Sequence, residues 1–146
     1  MLTTLPIADV AGHLRLVVAR TARRLRQEAG ADLSPSLISA LATIDRHGPL
    51  TPSELAAHER VQRPTATRVL ARLENAGLVD RSPDPADRRS ALISASAAGR
   101  TLLRRQRSRK NQYLARRLAT LDPDEVATLE RAALILERML DEEGRR

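Results

Sequence analysis

With 146 residues, 42% of them apolar, and no long low-complexity segment, the chain is large enough for one compact domain around a buried core. Its 25 Lys and Arg against 18 Asp and Glu leave a net charge of +7, which points to a polyanionic partner: DNA, RNA or an acidic membrane surface. The lack of cysteine excludes disulfides, thiolate metal sites and thiol redox sensing, and no run of about 18 apolar residues exists to span a membrane.

The N-terminus lacks the basic-then-apolar pattern of a secretory signal, so a cytoplasmic location is expected. Lys110 is the one lysine, and arginine carries the rest of the positive charge. Its planar fork suits bidentate contacts to phosphate and guanine, although a GC-rich coding sequence would favour arginine as well. Phe and Trp are absent and Tyr is present once, at Tyr113, so the core must be built from Leu, Ala, Val and Ile. The stacking platforms of single-strand and RNA binders are missing too, which favours duplex DNA among the polyanions.

In chain order, Ile7, Val10, Ala11, Leu14, Val18, Thr21, Ala22 and Leu25 recur at helical spacing, predicting an amphipathic helix from just after Pro6 to near Gly30. A second helix is predicted from Ser34, with Pro35 at its first position, Leu37, Ile38, Leu41 and Ile44 on its apolar face, and Gly48-Pro49 as its stop. Thr51-Pro52-Ser53-Glu54 reads as a capping box opening a short helix that carries Leu55 and Ala56. After a break over residues 59–62, Pro64 is expected to open a helix running to Asn75 and closed by Gly77. Ala66, Val69, Leu70 and Leu73 share one side of it, and Pro64, Arg68, Ala71 and Asn75 the other, flanked by Thr65, Thr67 and Arg72.

Leu78–Arg81 and Ala91–Ser94 are predicted to pair as short strands around a loop rich in Pro, Asp and Arg. Ser96 is placed to cap a long helix that begins near Ala97 and carries Arg104, Arg105, Arg107, Arg109 and Lys110. A last helix starts at Asp122-Pro123-Asp124-Glu125, with Val126, Leu129, Ala133, Leu136 and Leu140 as its stripe, widened by Ala132 and Met139.

The order from residue 51 to residue 94 is that of a winged helix-turn-helix: one helix shaped for a major groove and a basic loop beside it. The expected fold is mainly α with a small β-hairpin wing. N- and C-terminal dimerisation helices flank it, giving segments 1–33, 34–95 and 96–146 within a single compact domain. The broad apolar stripes of the first and last helices exceed what a small helix-turn-helix needs, so they are expected to pack against each other and against a second copy of the chain. Ile7, Val10, Leu14, Leu129, Leu136 and Leu140 are the expected interface residues.

Three features together resemble the multiple antibiotic resistance regulator (MarR) family: the order of six helices, the run from Arg68 to Val79 with its Glu74-Asn75-Ala76-Gly77-Leu78-Val79, and the wing Asp84-Pro85-Ala86-Asp87-Arg88-Arg89-Ser90 ending at Gly99. The likeness covers essentially the whole chain and is most specific from Leu55 to Gly99. It implies a homodimeric transcription factor, usually a repressor. A small molecule, commonly aromatic or phenolic, often binds such proteins between the dimer interface and the DNA-binding lobe. The resemblance also implies that Arg89 enters a minor groove while Asp87 fixes the loop. Ala95-Ser96 departs from the leucine and threonine frequent in the family, and the scarcity of aromatic residues departs from an aromatic-stacking pocket.

The candidate DNA-binding residues are Arg63, Pro64, Thr65, Thr67, Arg68 and Arg72 on the recognition helix and Asp87, Arg88 and Arg89 in the wing. An arginine bidentate to guanine is worth about 1 to 3 kcal/mol of discrimination. A merely solvated helix face would carry Arg68 and Arg72 as well, and a tight turn alone would favour Asp84 and Pro85. The cluster from Arg104 to Lys110 reads as a solvated face, or as a non-specific contact to DNA lying beneath it. His13, His47 and His58 lack metal-ligand spacing, and neither a metal nor a cofactor is expected. No phosphate-cradling glycine loop or nucleophile elbow is present, so the reading is a binding protein and not an enzyme. Two functions fit: a sequence-specific regulator, possible target of a small-molecule effector, or a non-specific architectural protein coating double-stranded DNA.

Overall fold

The computed structural model describes residues 5–30 and 32–144, which form six helices and a two-stranded ribbon. They divide into two compact units, Met1–Lys110 and Asn111–Arg146. In the first unit, helix α1 (Ile7–Glu28) is followed by α2 (Pro35–His47), α3 (Pro52–Glu59), α4 (Arg63–Asn75), the strands β1 (Val79–Pro83) and β2 (Ala91–Ala95), and the first part of α5 (Ala97–Leu118). The second unit holds the rest of α5 and α6 (Pro123–Glu143).

The core of the first unit is aliphatic. Leu41 and Ile44 of α2, Leu55 of α3, Leu70 and Leu73 of α4, Ile93 of β2 and Leu50 between α2 and α3 are all fully buried. Each apolar stripe predicted for α2, α3 and α4 supplies these contacts, so one cluster joins the helix-turn-helix to the ribbon. Leu50 does more than pack. Its amide donates to the Ile93 carbonyl at 3.0 Å and its carbonyl accepts from the Ile93 amide at 2.8 Å, so an isolated bridge adds a third extended segment beside β2. Sequence periodicity gives no sign of a one-residue bridge, because period two needs several residues to register.

The helix boundaries follow the expected punctuation with three differences. Thr51 caps α3 by accepting from the Glu54 amide at 3.2 Å, but its hydroxyl then faces the Glu54 carboxylate, and the return bond that completes a capping box is not made. Helix α4 begins at Arg63, one residue earlier than expected, with Gln62 in the N-cap position and no side-chain cap. The strands are also shifted. Leu78, predicted to start β1, donates instead to the Leu73 carbonyl and is buried, while β1 extends to Pro83, opposite Ala91.

The ribbon is antiparallel with Val79 opposite Ala95 and Arg81 opposite Ile93. Gly77, at φ +71, makes the reversal out of α4 in a conformation that side chains resist. Ser96 then ties both ends of the ribbon together: its hydroxyl donates to the Gly77 carbonyl at 2.7 Å and accepts from the Gly99 amide at 3.1 Å, capping α5 as expected. Gly99 is where α5 meets that reversal. A Cβ there would lie 2.2 Å from the Leu78 carbonyl oxygen and 3.2 Å from Leu41.

In the second unit, α6 opens with a complete capping box. Asp122 accepts from the Glu125 amide at 2.9 Å, and the Glu125 carboxylate accepts from the Asp122 amide at 3.1 Å. Neither α1 nor α6 contains a buried residue.

Gly99→Ala is expected to destabilise the fold by about 1 to 3 kcal/mol, since the added methyl forces the backbone of α5 away from Leu78. Urea unfolding measures it, and an unshifted midpoint refutes the close approach.

Candidate nucleic-acid interface

Helix α4 turns its apolar stripe of Ala66, Leu70 and Leu73 into the core, which leaves Arg63, Pro64, Thr67, Arg68, Ala71 and Arg72 exposed and Thr65 half-buried. This is the outer face expected from helical periodicity. Arg68 donates to the Thr65 hydroxyl at 3.4 Å, and a shallow groove of about 190 Å³ lies between Thr65, Arg68 and Arg72 on one side and Ser34, Ser36 and Leu37 at the start of α2 on the other. The Thr67 hydroxyl donates to the Arg63 carbonyl one turn back at 3.0 Å, so Thr67 must break that bond to donate to a phosphate.

The arginines differ in what holds them. No described residue forms an ion pair with Arg63, Arg68 or Arg72. Glu74 is engaged elsewhere: its Oε1 accepts from both Nε and Nη2 of Arg81 at 2.7 Å, linking the end of α4 to β1. At this exposure the pair contributes about 0.2 to 1 kcal/mol, so its role is orientation of the ribbon more than stability.

The wing tip is fixed by two aspartates. Asp84 Oδ1 accepts from the Ala86 amide and Asp87 Oδ1 from the Arg89 amide, each at 2.9 Å, and the Ser90 amide donates to the Asp87 carbonyl at 3.0 Å. These Asx turns hold the backbone while Arg88 and Arg89 stay exposed at the tip. Asp87 thus stands where it shapes the loop.

The basic stretch of α5 is not one surface. Arg104, Arg105 and Arg107 are exposed, with Arg104 donating to Thr101 at 3.1 Å. Arg109 instead donates to the buried Ala29 carbonyl at 2.9 Å and lies 3.5 Å from Asp32. Lys110 is half-buried and lines a cleft of about 1290 Å³ with Gln106, with Ala22, Arg23, Leu25, Arg26 and Gln27 of α1, with Ala29 and Gly30 after it, and with Leu33, Ser34, Pro35, Ile38 and Ser39 around the start of α2. Periodicity could not separate these roles, because arginines occur all round this helix and only the fold decides which side meets the α1–α2 connection.

Among the expected interface residues, Ile7 is 86% exposed, Leu140 68%, Leu129 49%, Val10 46% and Leu14 40%, while Leu136 is half-buried. Leu16, Val17, Leu134 and Ile135 are exposed as well and lie outside the predicted stripes. The His47 and His58 rings, at the ends of α2 and α3, stack with centroids 4.3 Å apart. That contact joins residues far apart in the chain and has no periodic signal.

The sequence profile described as the MarR family matches residues 33–91. A helix-turn-helix-type transcriptional regulator of Mycobacterium bovis is 41% identical over 136 residues, 92% of this chain and 95% of that protein. The multiple antibiotic resistance protein MarR of Salmonella typhimurium is 34% identical over 100 residues, covering 68% of this chain and 69% of its own length. A crystal structure of a candidate transcriptional regulator from Pseudomonas aeruginosa superposes with a TM-score of 0.84 at 37% identity, over 94% of this chain and 97% of that one.

Asp87→Ala is expected to accelerate hydrogen exchange at the Arg89 amide while changing global stability by less than about 0.5 kcal/mol, as for a surface site. Unchanged exchange at that amide shows that the carboxylate does not hold the loop.

Proposed function

The chain belongs to the MarR family and is a DNA-binding transcriptional regulator of that type, not an enzyme; on that premise we propose that it is a repressor that binds an inverted-repeat operator as a homodimer and releases it when a small molecule binds. The observation that carries the proposal is the pairing of the exposed face of α4 with a wing whose backbone is fixed and whose arginines are free. Arg68 and Arg72 then read base edges in a major groove, with Arg63, Pro64 and Thr65 at the entering end of the helix and Thr67 beside them. Arg89 reaches the adjacent minor groove, and Arg88 a phosphate.

Two features support a second copy and an effector. The exposed Ile7, Val10 and Leu14 of α1, and Leu129 and Leu140 of α6, are large apolar side chains worth about 1.5 to 3 kcal/mol each on full burial. A symmetric pair covers them and carries two recognition helices, which matches a palindromic site with half-sites about 34 to 36 Å apart. The cleft beside Lys110 is walled by aliphatic side chains such as Leu25, Leu33 and Ile38, with Arg23 and Arg26 beside them, so packing and charge hold a ligand there rather than ring stacking. The protein acts in the cytoplasm, where its DNA is; no helix among the described residues is long and apolar enough to cross a membrane.

Competition against a scrambled duplex separates regulation from coating: a specific operator should win by about a thousandfold or more, and a ratio near one favours an architectural protein using the exposed Arg104, Arg105 and Arg107. Arg68→Ala is expected to lower operator affinity by about 1 to 3 kcal/mol and relax preference at one base pair. Arg89→Ala weakens binding across sequences and lowers the salt slope by about one unit or less. Operator affinity unchanged in both variants rules out the assigned contacts. Joint replacement of Val10 and Leu14 by glutamate is expected to yield single chains in sedimentation, and a persisting dimer places the interface elsewhere.

A further inference from the structure

Arg60 occupies the turn between α3 and α4 with φ 54 and ψ 45, and it is the one non-glycine residue with positive φ among the described residues. The turn closes α3 in a Schellman pattern. The Arg60 amide donates to the Ala57 carbonyl at 3.3 Å and the Val61 amide to the Ala56 carbonyl at 3.0 Å, with Arg60 at the left-handed position where glycine is ordinarily found. For any residue with a Cβ that conformation brings the side chain against its own carbonyl, a strain that glycine does not have. Nothing in the turn's hydrogen bonding requires arginine, since both bonds are made by backbone.

The carboxylate nearest in sequence is turned away from it. Glu59 accepts from the Ser39 hydroxyl at 2.8 Å and from the Thr43 hydroxyl, both on α2, which pins the end of α3 and commits that carboxylate to α2 rather than to an ion pair with Arg60. The Arg60 side chain is exposed and forms no hydrogen bond or ion pair with any described residue. An unpaired guanidinium is thus held, at a conformational cost, three residues before α4 begins. A left-handed conformation at a non-glycine residue points to a function at that place.

We propose that Arg60 contacts a DNA phosphate and is a further affinity residue of the interface, anchoring the backbone beside the groove that α4 enters. The geometry favours phosphate over base. A recognition helix inserts its N-terminal residues toward base edges, so the turn just ahead of it comes alongside the flanking sugar-phosphate strand. Guanidinium and phosphate match in charge and fork geometry, and such a contact fixes register without reading sequence. The inference rests on the DNA-binding reading above.

Three variants of the full-length protein test it: Arg60→Gly, Arg60→Lys and Arg60→Gln. The probes are a duplex selected from a random pool by the wild-type protein and a scrambled duplex of equal length, with affinity measured between about 50 and 200 mM salt. Arg60→Gly relieves the strain, so its urea midpoint is expected to stay level or rise while affinity falls about 3- to 10-fold. The salt slope should drop by about one unit, and both duplexes should weaken by the same factor. Arg60→Lys keeps the charge in the same strained position and should recover most of the affinity; Arg60→Gln should not. Undiminished affinity and slope in Arg60→Gly overturn the proposal, as does a loss of affinity accompanied by a lowered urea midpoint or confined to the selected duplex. If the wild-type protein selects and retards no duplex at all, the DNA-binding reading itself fails and this inference falls with it.

Discussion

The burial of Leu70 and Leu73 against Leu41, Ile44 and Ile93 is the contact on which the arrangement depends. Helix α4 has one apolar side, and once that side is fixed in the core, the 3.6-residue repeat leaves no freedom over which side faces solvent. Arg68 and Arg72 face outward because Ala66, Leu70 and Leu73 face inward. The core achieves this without Phe or Trp, using branched aliphatic side chains close enough for the Leu50–Ile93 bridge to stitch the ribbon to the start of α3. Loss of that packing would disorient the basic face long before any arginine was changed.

Around this core the charged side chains divide into those that shape the surface and those left to meet a partner. Glu74 with Arg81, Asp87 with the Arg89 amide, Glu59 with Ser39 and Thr43, and Arg109 with the Ala29 carbonyl all fix backbone elements. Arg60, Arg63, Arg68, Arg72 and Arg88 keep their guanidiniums free of described ion partners. The first group spends its carboxylates on fixing geometry, and none of them forms an ion pair with the second.

Helices α1 and α6 follow another logic. Their periodicity is as regular as that of α2, yet α2 buries Leu37, Ala40, Leu41 and Ile44 while α1 and α6 bury nothing fully. An amphipathic helix with an exposed apolar face calls for a cover, which the second copy proposed above would supply.

Much of this was legible in the residues. Proline and glycine punctuation at Pro35, Gly48, Pro52, Gly77 and Pro123, combined with apolar spacing, sets the order and nearly all the bounds of the elements, because local sterics and burial act over a few residues. The same local rules placed Arg68, Arg72, Arg88 and Arg89 on exposed positions. What they could not supply were the contacts between distant segments: the Leu50 bridge to Ile93, Ser96 on Gly77, Arg109 on Ala29, and the Glu59 bracket that leaves Arg60 unpaired in its left-handed turn. Those depend on which helix faces meet. Periodicity tells each helix which side to hide, but only the folded core selects the neighbour it hides against, and that choice decided which of many similar arginines are anchored and which remain free.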